Sequence, residues 1–127
     1  MEYMNKVSHF HIPVDNMDRA KKFYHNIFGW KIAETGKYHL AITTPIDERG
    51  RPKEPGGING ALYTKITPED SISIVIRVSS IDDHLKKIED GGGQIITKKT
   101  PAGNIGFHAE FYDTEKNIIG LWEEKNR

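Results

Sequence analysis

His9 and His11 are the first side chains in this 127-residue chain that could do chemistry. Residues two apart on an extended strand share a face. The two imidazoles could therefore approach one cation together, with Glu110 as a third ligand. The alternative is a pair that hydrogen-bonds its neighbours or lines an organic-ligand pocket. Glu110 stands in an otherwise apolar run, alternating with Phe107, Ala109 and Phe111. Desolvation would raise its pKa and a neighbouring Arg77 or histidine would lower it; such a carboxylate could serve as a general base, or form a structural ion pair. Arg77 ends a very apolar strand. Its guanidinium could grip an anionic ligand through two parallel hydrogen bonds, or pair with Glu110 or Asp82. Trp30 and Trp122 could stack on a planar ligand or pack in a core. Trp122 has the better claim to a ligand, because Gly60 and Gly120 would leave room beside it, whereas Trp30 reads as packing. The runs Gly56-Gly57 and Gly91–Gly93 lack the spacing and following helix of a phosphate loop and read as turns.

The elements that must position these residues occur twice. A shift of 64 aligns Val7–Ile32 with Ser71–Ile96 without a gap, with six identities in 26 positions, among them Ile12/Ile76, Val14/Val78 and Gly29/Gly93. A shift of 60 lays Ile58-Asn59-Gly60 on Ile118-Ile119-Gly120. Each half opens with a strand: Phe10 and Ile12 alternate with His9, His11 and Pro13, and Ile72, Ile74, Ile76 and Val78 alternate with Ser73, Val75 and Arg77. A helix follows in each. Asn16 or Asp15 can cap the first, whose apolar stripe is Met17, Ala20, Phe23, Tyr24, Ile27 and Phe28. Ser80 and Asp83 suggest a capping box for the second, which buries Ile81, Leu85 and Ile88. Gly29 and Gly91–Gly93 end the helices. Three strands then complete each half: Trp30–Thr35, Tyr38–Thr43 and Ile58–Lys65, then Gln94–Lys98, Ile105–Tyr112 and Ile118–Glu123. Asp113–Asn117 is a hairpin loop, Pro45–Gly57 a long loop whose charge run Asp47–Glu54 is solvated or could act as a lid, and Thr67–Ser71 the link between halves. The expectation is α+β, two βαβββ modules in tandem (about 1–66 and 71–127) within one domain spanning 1–127.

Composition narrows the function classes. Lys plus Arg and Asp plus Glu are 18 each, so no basic excess suits nucleic acid or an anionic membrane surface. The absence of cysteine excludes disulfides, thiolate metal sites and cysteine nucleophiles. No window approaches the 18 apolar residues of a membrane span, and MEYMNKVSHFHIPV lacks the long apolar stretch of a signal peptide. A cytoplasmic protein is expected, without nucleic acid or membrane as partner.

HFHIPVDNMDRAKKFYHNIFGW near the start and the closing FYDTEKNIIGLWE resemble the opening strand, helix end and final hairpin of the vicinal oxygen chelate superfamily, the glyoxalase and bleomycin-resistance fold. The resemblance covers nearly the whole chain. It implies a cupped, mostly antiparallel eight-stranded sheet with helices on the outer face and a ligand in the cup. Family enzymes hold a divalent metal with four side chains, two on first strands and two on last strands. Those positions carry over to His9, Ser73, Gly60 and Gly120, of which only His9 is a usual ligand. With His9 facing the cup, His11, Ser73, Val75 and Arg77 face it too. In glutathione-using relatives an Arg where this chain has Pro13 holds a substrate carboxylate, a part Arg77 could take. Glu110 lies where some family enzymes place a catalytic Tyr.

The resulting expectation is a small organic ligand held by His9, His11, Ser73, Arg77 and Trp122, with Glu110 as the catalytic candidate, no metal and no cofactor. The competing reading is a metal-dependent lyase, isomerase or dioxygenase-like enzyme rebuilt around His9, His11 and Glu110. Exposed sheet edges and apolar side chains near the ends, including Tyr3, Met4 and Trp122, suggest a homodimer.

Overall fold

The structure, a computed structural model, describes residues 4–35 and 38–125. It contains eight strands and two helices in the order β1 (Val7–Val14), α1 (Met17–Phe28), β2 (Lys31–Thr35), β3 (Tyr38–Ile42), β4 (Asn59–Thr64), β5 (Ser73–Arg77), α2 (Ile81–Asp90), β6 (Gln94–Ala102), β7 (Gly106–Tyr112) and β8 (Ile118–Glu124). This is the α+β pattern of two βαβββ repeats. Pairing within the repeats is mostly antiparallel: β2–β3, β3–β4, β6–β7 and β7–β8 are antiparallel, whereas β1–β4 and β5–β8 are parallel. The chain forms two compact units. One is His9–Ile72; the other is Ser73–Arg127 together with Met1–Ser8. The sequence repeat assigns the N-terminal residues to the first half, but the Asn5 amide meets the His84 ring at 3.2 Å, and the Lys6 carbonyl accepts from the Arg77 amide at 3.0 Å. Tyr3, named above for a dimer contact, lies outside the described residues.

In the first unit the strand order is β2-β3-β4-β1. Alternation on β1 sends Phe10, Ile12 and Val14 toward α1, where they pack with Ala41, Leu62, Met17, Ala20, Tyr24, Trp30 and Ile32. Asn16 caps α1 by accepting from the Arg19 amide at 3.0 Å, and Gly29 ends it at φ 74°. Trp30 lies flat on Tyr24, centroids 4.7 Å apart, as a packing residue. The apolar stripe of α1 is only partly covered. Met17, Ala20 and Tyr24 meet the sheet, but Phe23 and Ile27 on its flank and Phe28 at the helix end are 54%, 61% and 61% exposed. The loop between β3 and β4 is tied down at its base. Buried Asn59 accepts through Oδ1 from the Thr43 and Thr44 amides at 2.8 and 3.1 Å, and the Thr43 hydroxyl donates to the Ile58 carbonyl. Further out, Ile46 bridges to Pro52 and the Asp47 carboxylate accepts from the Arg49 and Arg51 amides.

In the second unit the order is β5-β8-β7-β6. Val78, Ile81, Leu85, Ala109, Phe111 and Leu121 form its core, with Ile76, Ile88, Ile95, Phe107 and Ile119 packed against them. Ser80 caps α2 by accepting from the Asp83 amide. Glu123 on β8 takes the Ile81 amide and also meets Lys99 at 3.2 Å, so a neighbouring strand completes the cap. The β7–β8 turn closes on Asp113, whose carboxylate accepts from the amides of Glu115 and Asn117 and from the Asn117 side chain; Lys116 there adopts φ 67°. In the linker, Asp70 ties the amides of Ile66 and Thr67 and the Thr67 hydroxyl.

Asn59→Ala removes the acceptor for two amides of the loop base. Denaturant unfolding should show a loss of about 1–3 kcal/mol, the cost of leaving a buried donor unmet. An unchanged midpoint would show that Asn59 does not pin the loop.

Candidate functional site

In each unit the strands turn one face to the helix and one face away from it. In the first unit the latter carries two rows across β1, β4, β3 and β2. One is His11, Ala61, Leu40 and Ala33; the other is Pro13, Tyr63 and Tyr38. His9 precedes them, paired with Asn59. The His11 ring stacks on Tyr38 (centroids 5.6 Å, interplanar 28°) and meets Tyr63 edge-on at 6.3 Å, while the two tyrosines stand 5.6 Å apart. Burial holds the His9 imidazole below its ordinary pKa, because a half-buried charge is poorly solvated.

In the second unit the corresponding face carries the row Val75, Gly120, Glu110 and Thr97, and beside it Arg77, Trp122, His108 and Thr100. Ser73 begins β5 on the same face. Glu110 accepts from the Thr97 hydroxyl at 3.3 Å. Arg77 donates from Nη2 to Glu124 Oε2 at 2.6 Å. Its carboxylate partner is thus Glu124, the next residue on this face of β8 after Trp122, rather than Glu110 or Asp82. The Trp122 ring lies over Gly106, where a Cβ would meet the indole at 2.6 Å. Sequence reasoning named Gly120 as the room beside Trp122 but missed Gly106, which lets the ring lie against the backbone.

A family model described as the Glyoxalase/Bleomycin resistance protein/Dioxygenase superfamily matches residues 6–121. The chain belongs to this superfamily. Solved structures agree in fold. A hypothetical protein, BH1468 from Bacillus halodurans C-125, is 18% identical with a TM-score of 0.69, covering 98% of both chains. Methylmalonyl-CoA epimerase from Mycobacterium tuberculosis is 15% identical with a TM-score of 0.69, over 94% of this chain and 88% of that one. The Mn(II)-bound glyoxalase from Novosphingobium aromaticivorans is 14% identical with a TM-score of 0.66, over 98% of this chain and 42% of that one. No curated protein sequence matches.

The register corrects one position of the superfamily's metal set. Gly60 pairs with Phe10 and shares its helix-side face, where an added Cβ would collide with the Phe10 carbonyl and ring. His11 pairs with Ala61 as Val75 pairs with Gly120, so the counterpart of Gly120 is Ala61, at a shift of 59. Gly60 therefore leaves no room on the face turned from the helix, whereas Gly120 does face that way, with a Cβ there 3.1 Å from Val75. A superfamily metal finds few donors at these positions. His9 faces Asn59, whose oxygen already accepts from two backbone amides; Ala61 and Gly120 offer none, and Ser73 only a hydroxyl. Within each unit, among the described residues, no three His, Cys, Asp or Glu side chains gather as a metal-holding group. The residues present do not fit the usual centre.

His9 should titrate below the ordinary histidine value of 6.5 in a pH series of imidazole NMR signals. The unfolded chain takes up this proton first. The neutral imidazole's stabilisation is thus complete above pH 6.5 and is lost as pH falls through the lowered native value. A midpoint above 6.5 would contradict a desolvated ring.

Proposed function

We propose that the chain binds a small organic ligand on the sheet faces turned away from the helices, without the superfamily's metal centre. One observation carries the reading: where a metal would need donors, the register supplies Ala61, Gly120 and an Asn59 oxygen already committed to the backbone. Small or engaged side chains give up coordination and leave apolar sheet surface flanked by a few polar groups, the usual make-up of a ligand site. His9 and His11 are the polar contacts we assign in the first unit. In the second we assign Ser73 and Arg77 as polar contacts and Trp122 as a stacking surface. Arg77 would meet an anionic ligand group beside, or in exchange for, Glu124. Glu110, bare on its Gly120 side and hydrogen-bonded to Thr97, is the carboxylate we assign to proton transfer. The solved epimerase and Mn(II)-bound glyoxalase support the choice of a small-molecule ligand through their shared fold.

Added zinc, nickel, manganese or iron should leave the melting temperature unchanged. A tight metal at 100 times its Kd would add about 2.7 kcal/mol and raise it visibly. A clear rise that disappears in His9→Ala would overturn the metal-free reading.

We also propose that the chain forms a homodimer. The exposed Phe23, Ile27 and Phe28 on α1 support this, because a contiguous apolar patch gains by being covered. Sedimentation at micromolar concentration should give twice the chain mass, the two-fold pair commonest among homo-oligomers. A single species at the chain mass throughout a concentration series would refute it.

A further inference from the structure

We infer that the first unit takes an uncharged, planar aromatic ring, seated on Tyr38 and the small-residue row beside it. The inference rests on the ligand-binding reading above and specifies its chemistry. Three rings from three strands meet on one face: His11 from β1, Tyr63 from β4 and Tyr38 from β3. Such a gathering is unexpected on the face turned away from the hydrophobic core, and Tyr38 stays 44% exposed within it. The adjoining row, Ala61, Leu40 and Ala33, has a methyl group at two of its three positions, so the sheet beside the rings is shallow and flat.

The ring geometry distinguishes two kinds of aromatic site. A cage for a cationic ligand turns several ring faces toward one point. Here His11 and Tyr38 lie near-parallel, 28° apart, and spend a face on each other, while His11 and Tyr63 meet edge to face at 72°. The exposed part of Tyr38 is suited to offset stacking by another planar ring rather than to enclosing a cation. Charge points the same way. The rows His11–Ala61–Leu40–Ala33 and Pro13–Tyr63–Tyr38 contain no carboxylate to balance a cation and no Lys or Arg to hold an anion.

The test is a titration of the full chain, with ¹³C-labelled aromatic side chains, using indole, cyclohexanol and tetramethylammonium as probes. Indole should shift the Tyr38, Tyr63 and His11 ring signals saturably, and the other two probes should not. Tyr38→Leu should weaken indole roughly tenfold, the scale of one lost aromatic pair. Tyr38→Phe should keep it and shows that the ring matters even if the leucine variant folds poorly. Phe23→Leu, on the helix side, should leave it unchanged. Indole bound equally by Tyr38→Leu, tetramethylammonium competing with indole, or no ring shift with any probe would each overturn the inference. Cyclohexanol shifting these signals where indole does not would overturn the aromatic specificity while leaving the ligand-binding reading standing. Stoichiometric metal uptake through His9 would remove that underlying reading as well.

Discussion

The two-residue period of β1, locked by the burial of Phe10, Ile12 and Val14 against α1, is the constraint on which the candidate site depends. Once those three side chains pack with Leu62, Ala41 and Tyr24, His9, His11 and Pro13 must lie on the other face. Parallel pairing with β4 then sets what stands beside them. His9 receives Asn59, His11 receives Ala61 and Pro13 receives Tyr63. A slip of one residue would exchange these neighbours for Gly60 and Leu62 and bury the histidines under the helix. The second unit obeys the same rule: Ile76 and Leu121 go to the core, while Val75, Arg77, Gly120 and Trp122 go to the other face.

Most of the fold was legible from local patterns. Alternation marked the strands, Asn16, Ser80 and Gly29 marked helix ends, and the 64-residue shift matched the two βαβ openings. These signals lie within one segment and require no knowledge of its partner. The apolar stripe of α1 was legible as a pattern but not in its extent of burial. A strand-and-helix layer covers Met17, Ala20 and Tyr24, and no described element covers Phe23, Ile27 and Phe28 fully. The long Pro45–Gly57 loop read as solvated or as a lid, with no sign of what holds its base, because the buried amide there comes from Asn59, beyond its end.

The site was legible in part, and the missing part is a matter of register. The match of Ile58 and Gly60 to Ile118 and Gly120 at a shift of 60 made Gly60 and Gly120 look equivalent. Pairing with β1 and β5 makes Ala61 the equivalent instead, one residue along and on the opposite face. The same blindness to register hid Tyr38 and Tyr63. Each sat on a correctly expected strand, but nothing local shows that both meet His11. Arg77 was rightly seen as a residue that needs an anion, while Glu124 lay at the far end of the neighbouring strand. His9 and His11 share one face of β1, and Ser73 and Arg77 share one face of β5, as the two-residue period requires.

We propose that the register gives this chain a face fitted to an organic ligand where relatives hold a metal. Elemental analysis of protein purified from metal-supplemented medium, beside His9→Ala prepared identically, tests it most directly. Zinc, nickel, manganese and iron should each lie well below one equivalent per chain and be alike in both proteins. One equivalent in the parent protein, lost from His9→Ala, would contradict it.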